Sequence, residues 1–162
     1  MKKNLFSVLF STLVLFSVAS CKKDSKTTTT TPTPAPTFNW TGTEPFSVKL
    51  DGVSYVVAAS DISVFDVLGY LNINADLSDD LSVALSLQSA IVAGEYTTPS
   101  PNNITHTNTL SGFQGAGLNS GCKIKIIQNT PTLIEGKFYG TVKAVSGNET
   151  HTLAEGYFKV TK

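Results

Sequence analysis

Apolar and polar residues alternate with a period of two in several short segments of the chain, and helical periodicity is scarce. Residues 46–50, 71–75, 81–87 and 122–126 all follow this pattern. Successive side chains of a strand point to opposite faces, so each segment can bury one face and expose the other. The pattern predicts an all-β fold, an antiparallel β-sandwich or a small β-barrel of about eight to nine strands.

Local turn signals connect these segments. Asp51 and Gly52 separate two strand-like runs, and an Asp-Gly pair favours the type I′ turn of a β-hairpin because both residues tolerate positive φ. Residues 62–65 could form either a further strand or one helical turn. A run of polar and glycine residues at positions 97–121 is long for a loop, so it is functional, disordered or contains a strand. Its weak alternation at residues 103–109 is the candidate for that strand.

The pattern Glu-Gly-X-Phe occurs twice near the end of the chain. If the two segments pair as antiparallel strands, Phe138 can lie opposite Gly156 and Phe158 opposite Gly136. Each ring then covers the bare backbone of the facing glycine, which is a known way to stabilise a sheet. We predict this register.

The same register has consequences for the neighbouring pairs. It places Glu135 opposite Lys159 and Val142 opposite Thr152. Keeping apolar residues on one face also requires an odd-length loop or a bulge between the strands.

The N-terminus has the organisation of a secretory signal peptide. Lys2 and Lys3 form a basic head, residues 4–16 are mainly apolar, and small residues lead to Cys21. The apolar stretch is shorter than the roughly 20 residues that a membrane-spanning helix needs.

Residues 18–21, Val-Ala-Ser-Cys, resemble the lipobox of bacterial lipoproteins. The resemblance implies cleavage before Cys21 and attachment of acyl chains, such as palmitate, to that residue. Several acyl chains hold a protein firmly on a membrane, because each buried CH₂ contributes roughly 0.8 kcal/mol. We therefore expect a protein of the cell envelope that is anchored in the outer membrane, on its periplasmic or its surface-facing leaflet.

These features divide the chain into a signal peptide (1–20), a lipidated cysteine with a tether (21–37), and one β-rich domain (38–162). The tether is rich in threonine and proline and has too few apolar residues to fold, so we expect it to be disordered and extended.

The charges of the chain exclude one class of partner. From residue 39 onward there are seven lysines and eleven acidic residues, and the chain contains no arginine. Nucleic-acid binding depends on patches of Arg and Lys that contact phosphates. We therefore expect no nucleic-acid partner, and a membrane contact through the lipid anchor alone.

No motif of the chain carries a recognisable chemistry. His106 and His151 lack the spacing of metal ligands, and we interpret each as a surface histidine. Alternation with Ile124 and Ile126 indicates that Cys122 is a buried thiol. We predict no catalytic, cofactor-binding or metal-ligating residues, no cofactor and no enzymatic activity.

Three aromatic residues are candidates for contact with a ligand. Tyr139 and Tyr157 are expected to lie diagonally on the outer face of the last hairpin, where flat rings can receive sugars. Phe113, flanked by glycine and glutamine, could be an exposed aromatic or pack inside a hairpin.

Four segments of the domain resemble a family of small Bacteroidota-type lipoproteins of unknown function: residues 46–52, 93–96, 134–138 and 155–160. The resemblance implies a β-rich extracytoplasmic domain and no catalytic residues. The expected function is a non-catalytic binding or interaction module with a glycan or an envelope protein as partner. The alternatives are a structural subunit of an outer-membrane complex and a calycin-like carrier of a small apolar ligand.

Overall fold

The alternating segments of the sequence form antiparallel strands. The computed structural model describes residues 37–98, 102–116 and 121–162, all of which belong to one compact unit of the chain. The side chains of Phe113 and Ala116 lie outside the description.

The described residues form eleven strands and one turn of 3₁₀ helix, Ala59–Asp61. The strands are β1 (Phe46–Leu50), β2 (Val53–Val57), β3 (Ile62–Val67), β4 (Tyr70–Ser78), β5 (Leu81–Gln88), β6 (Gly94–Thr97), β7 (Asn103–Asn108), β8 (Phe113–Ala116), β9 (Lys123–Asn129), β10 (Leu133–Ala144) and β11 (Thr150–Thr161). The predicted all-β antiparallel class is confirmed, with more strands than expected.

The eleven strands belong to one sheet that is not closed. Its main path runs β2-β1-β11-β10-β8-β7-β5-β4-β3. The long strand β10 uses one edge for two neighbours: residues 134–139 pair with β9, and Lys143 and Ala144 pair with β8. Strand β6 in turn pairs with β9. Strand β10 thus separates two arms of the sheet. One arm contains β11, β1 and β2, and the other contains the strands that continue from β8 and β9.

One hydrophobic core unites these arms. Ile73 and Leu85 from β4 and β5 belong to the same buried cluster as Phe46, Phe138 and Phe158 from β1, β10 and β11. Each of these side chains is fully buried. The sheet therefore curves around one interior, because only curvature brings the inner faces of both arms together.

The predicted β1–β2 hairpin is confirmed. Leu50 pairs with Val53, and the intervening Asp51 and Gly52 have φ values of 49° and 86°. Positive φ at both central residues is the mark of a type I′ turn. A second such turn, which was not predicted, joins β3 to β4 through Leu68 (φ 53°) and Gly69 (φ 82°).

The register predicted for the last hairpin is confirmed at its core. Phe138 pairs with Gly156, Gly136 with Phe158, and Glu135 with Lys159. The rings of Phe138 and Phe158 have centroids 6.3 Å apart. The phenylalanine ring of each strand thus fills the space beside the glycine of the other strand.

A bulge shifts the register beyond this point. Between Phe138 and Gly140, strand β11 advances by one residue more than β10, so Val142 pairs with His151 and not with Thr152 as predicted. Glu155 lies in the bulge with a φ of 52°, which is unusual for a residue with a side chain. The neighbouring β1 shows a matching shift between Ser47 and Lys49.

The long polar segment at 97–121 contains two strands, β7 and β8. Strand β7 spans the residues whose weak alternation predicted a strand, while β8 had no comparable signal. Residues 62–65 belong to a strand, β3, and the helical turn lies immediately before it. Within the described ranges, no helix has the length and apolar character needed to cross a membrane.

Candidate functional site

The segment that enters the domain, residues 37–43, lies across the outer face of β10 and β11; we call it the strap. The Trp40 indole Nε1 donates a hydrogen bond to the Gly156 carbonyl at 3.2 Å. Lys137 Nζ donates to the carbonyl of Phe38 at 3.4 Å and to that of Trp40. These contacts join the backbone of the strap to the sheet and hold its aromatic side chains in place.

Three aromatic rings form a cluster where the strap crosses β10. The Tyr139 centroid lies 5.0 Å from that of Phe38 and 5.9 Å from that of Trp40. The ammonium of Lys125 lies 5.8 Å from the Phe38 centroid, and that of Lys137 lies 5.7 Å from the Trp40 centroid. Tilted and edge-on rings with cations over their faces are favourable arrangements. All three aromatic side chains are half-buried, so part of each remains accessible.

One groove opens between the strap and the bulge of β11; we call it the tryptophan groove. Its volume is about 540 Å³. Its lining includes Asn39, Trp40, Tyr139, Thr141, Thr152 and Glu155. Because β11 carries an extra residue opposite Tyr139, the sheet bends at this position. Bulges of this kind often redirect side chains beside functional sites.

The tryptophan groove combines flat apolar surface with polar groups at its margin. Volumes of 300–1,000 Å³ with aromatic walls and a few polar groups are typical of small-ligand sites. The carboxylate of Glu155 is fixed by an ion pair with Lys49 at 2.8 Å. Such a lining can stack on a flat ligand and exchange hydrogen bonds with its hydroxyl groups.

A second groove lies on the other side of the strap; we call it the lysine groove. Its volume is about 480 Å³. Its lining includes Phe38, Glu95, Tyr96, Lys123, Lys125 and Tyr139. The two grooves share Tyr139 and two strap residues, Thr37 and Asn39, so they adjoin.

Tyr157, predicted with Tyr139 as a ligand-facing residue, is only 6% exposed. It lies on the outer side of β11, but the strap covers it: a Cβ added to Gly42 would come within 1.8 Å of the Tyr157 Cγ. Its hydroxyl donates to Glu135 Oε1 at 2.9 Å, and burial together with this bond raises its pKa. Tyr157 thus supports the strap, and Trp40 takes the place beside Tyr139 that was expected for it.

The sequence patterns did not predict a role for Trp40. It is the chain's single tryptophan and stands where the tether meets the domain, which was the available signal. The other two predicted residues stay predictions. Phe113 begins β8, but its side chain is not described, and Cys21 lies outside the described residues.

Glu135 and Lys159 face each other on the outer side of the last hairpin, but each has other side-chain partners. Glu135 and Lys159 are backbone partners as predicted, but Glu135 accepts hydrogen bonds from Tyr157 and Gln128. Lys159 instead pairs with Glu44 at 2.7 Å, and this bond raises the pKa of the ammonium. Residues before β1 therefore take part in organising this face.

The two histidines, predicted as separate surface residues, lie together. Their ring centroids are 5.2 Å apart, and His106 is 1% exposed. His106 Nδ1 contacts the Ser82 carbonyl at 2.8 Å, while His151 Nδ1 contacts Asp51 Oδ2 at 2.5 Å. The cluster connects the β1–β2 turn to β11 and to β7, and nothing in the sequence spacing could have indicated it.

Burial and neighbouring groups shift the pKa values of His106 and Asp51. Burial and the proximity of His151 lower the pKa of His106, and the hydrogen bond to Ser82 only partly opposes them. Burial would raise the pKa of Asp51, but hydrogen bonds from His151 and the Thr152 N–H outweigh it and the net shift is downward. The expected buried state of Cys122 is confirmed, and its thiol donates to the Thr141 carbonyl at 3.3 Å.

Within the described ranges, no group of three or more His, Cys, Asp or Glu residues is arranged to hold a metal ion. Comparison with models of protein families, with curated proteins and with solved structures finds no match. The geometry of the chain itself is therefore the basis for the function proposed below.

Proposed function

We propose that this chain is a lipid-anchored, extracytoplasmic binding module that holds a carbohydrate in the tryptophan groove. The observation that carries the proposal is the pairing of Trp40 with Tyr139, 5.9 Å apart, beside a groove with a polar margin. In this proposal the module is non-catalytic, and its role is to bind the carbohydrate.

Sugar rings suit such a surface for a physical reason. The C–H groups on one face of a pyranose are apolar and pack on the electron-rich face of an aromatic ring. Its hydroxyl groups point outward and need hydrogen-bond partners, which Asn39, Thr141 and Glu155 can supply at the margin.

The sequence supports the proposed location. The lipobox-like residues before Cys21 and the threonine- and proline-rich tether resemble those of small Bacteroidota-type lipoproteins. Acyl chains on Cys21 would anchor the protein in the outer membrane, on either leaflet, and the tether would hold the groove away from the lipid surface.

A glycan array with the purified full-length protein tests the proposal. We expect binding to a defined set of glycans, which Trp40→Ala and Tyr139→Ala each weaken about tenfold or more because they remove an aromatic platform. Tyr70→Ala is the matched control, since Tyr70 is an exposed aromatic on β4 outside both grooves. Absence of binding across the array, or binding unaffected by either groove variant, would refute the proposal.

A second function is favoured by the ends of the sheet. Strands β2 and β3 lie at the two ends of the main path and do not pair with each other. Four apolar side chains are exposed on them: Val53, Val56, Phe65 and Val67. An open strand edge can add a strand of a partner, as a subunit of an outer-membrane complex would. Crosslinking in intact envelopes tests this role, because it predicts one stoichiometric protein partner that proline substitutions in β2 or β3 abolish.

The carrier alternative has less support. Such a protein needs an internal cavity, whereas Phe138 packs against both Phe46 and Phe158 in the interior at centroid distances of 5.6 and 6.3 Å. The two grooves described above both lie at the outer face, beside the strap.

A further inference from the structure

The lysine groove carries a positive charge that the described residues do not neutralise. Lys125 forms an ion pair with Glu95 at 3.1 Å. Lys123 donates instead to the Thr97 hydroxyl at 2.5 Å. Among the described residues, no carboxylate lies within ion-pair distance of Lys123, so the groove has an excess of one cation.

This excess contrasts with the charge of the domain around it. From residue 39 onward the acidic residues outnumber the lysines by eleven to seven. An anionic ligand is therefore disfavoured over most of the surface and favoured beside Lys123, and such local contrast directs where a charged ligand binds. Two other lysines of the domain, Lys49 and Lys159, are each matched by an acid, whereas Lys137 is bonded to carbonyls of the strap.

The lysine groove adjoins the tryptophan groove at the aromatic cluster. Tyr139 lines both grooves, with Trp40 on one side and Lys123 on the other. A ligand of several linked rings that packs on Tyr139 would therefore extend from an aromatic platform toward an ammonium group that has a hydroxyl partner and no carboxylate partner. Phe38 and Tyr96 supply further flat surface beside Lys123.

We infer that the ligand is an acidic glycan that contains uronate residues. Its neutral ring faces pack on Trp40 and Tyr139, and a uronate carboxylate accepts a hydrogen bond from Lys123 Nζ in the lysine groove. The inference rests on the proposed carbohydrate-binding function and specifies the class of sugar. A charge-assisted hydrogen bond of this kind is stronger than a neutral one.

The test compares uronate oligosaccharides with the same oligosaccharides after methyl esterification, which removes the charge and keeps the rings. Oligogalacturonate and an alginate oligomer, each in both forms, are titrated calorimetrically into the full-length protein. We expect at least one free acid to bind about fivefold more tightly than its ester, the size expected for one partly exposed ion pair. Added salt should reduce this difference.

Three variants locate the preference for the acid. Lys123→Gln should remove the difference between acid and ester, while Lys143→Gln, which changes an exposed lysine outside both grooves, should leave it intact. Glu95→Gln releases Lys125 from its ion pair and should increase the preference for the acid, because the groove then has two cations without a carboxylate partner.

The outcomes separate this inference from the function on which it rests. Equal affinity for acid and ester, with binding that still depends on Trp40, would overturn the acidic-glycan inference and leave the carbohydrate-binding proposal standing. An acid preference that Lys123→Gln does not change, or no binding of either uronate, would overturn it as well. Failure of the whole glycan array is the separate result that refutes the proposed function.

Discussion

Phe138 and Gly156 are direct partners across β10 and β11, and the phenylalanine ring occupies the space where a side chain at position 156 would begin. A Cβ added to Gly156 would lie 2.5 Å from the Phe138 Cε2. The pair of Phe158 and Gly136 repeats the arrangement in reverse, with Phe158 Cζ at 2.5 Å from the added atom. Each strand thus supplies both a ring and the gap that receives the other's ring.

Gly156→Ala should lower the free energy of unfolding by about 1–3 kcal/mol, because it overpacks the interface between Phe138 and β11. Urea denaturation of the full chain measures the change. Phe138→Leu should cost less in the Gly156→Ala background than in the wild type, since the smaller side chain makes room for the methyl group. Additive effects of the two substitutions would contradict the argument.

Gly136→Ala should be the more damaging of the two alanine substitutions. Its added Cβ would also come within 2.7 Å of the Lys125 backbone carbonyl, which cannot rotate away as a side chain can. Phe158→Leu should therefore rescue Gly136→Ala less well than Phe138→Leu rescues Gly156→Ala. Equal rescue in the two denaturation series would show that the backbone contact has no consequence.

Glu155 adopts a left-handed conformation in the β11 bulge, with φ at 52°. A residue with a Cβ is destabilised by about 1 kcal/mol or more in the left-handed region of φ and ψ, whereas glycine is not. Glu155→Gly and Glu155→Ala both remove the ion pair with Lys49, so their difference isolates the backbone. We expect the glycine variant to be more stable by about 1 kcal/mol in urea, whereas glycine in an ordinary strand interior would be the less stable one.

Gly42→Ala should displace the strap without unfolding the domain. The added Cβ would overlap the Tyr157 ring at 1.8 Å, while the core cluster lies on the inner side of the sheet. Because Trp40 is the chain's single tryptophan, its fluorescence reports the strap directly, and the emission should shift to the red. Thr41→Ala changes an exposed neighbour and should leave the emission unchanged, and a normal spectrum for Gly42→Ala would contradict the role of this contact.

The histidine cluster predicts a loss of stability on acidification. The pKa of His106 is lower in the folded protein than its ordinary value of 6.5, so the unfolded chain binds more protons once the pH falls below about 6.5. Stability should then decrease as the pH falls from about 6.5 toward the folded pKa. Asp51, whose pKa is also lowered, should add a further loss below its ordinary value of 3.8.

His106→Gln should flatten the dependence of unfolding free energy on pH between 7 and 5, whatever its effect on absolute stability. The His106 ring packs against His151, which in turn pairs with Asp51 and Glu149, so His151→Gln is the comparison that keeps His106 and removes its neighbour. A pH dependence in His106→Gln equal to that of the wild type would assign the effect to other groups.

Cys21→Ser should prevent acylation and leave the chain unprocessed or released from the membrane fraction, since the predicted anchor depends on that thiol. Mass spectrometry of the N-terminus and fractionation of envelopes measure the two effects. Cys122→Ser is the control, because Cys122 is buried inside the domain and should have no part in anchoring. Unchanged acylation and fractionation in Cys21→Ser would refute the lipoprotein interpretation.

Local patterns of the chain were sufficient for much of the fold. Alternation identified β1, β4, β5 and β9, and the Asp51–Gly52 pair identified the first hairpin. The repeated Glu-Gly-X-Phe pattern identified the register of β10 and β11 from the chain end as far as the bulge, but not beyond it. These features were predictable because a strand's face and a turn's dihedral angles depend on residues that are close in the sequence.

The candidate site depended on contacts between distant segments. The strap covers Tyr157 and brings Trp40 to Tyr139. The bulge at Glu155 bends the sheet beside them. The pairing of β7 with β5 and β8 brings His106 close to His151. No spacing in the chain indicates these contacts, because they depend on the curvature of the whole sheet and on the part of its outer face that the strap covers. The sequence by itself therefore determined the class of fold and its hairpins, and only the tertiary structure decided which aromatic and charged side chains share a groove.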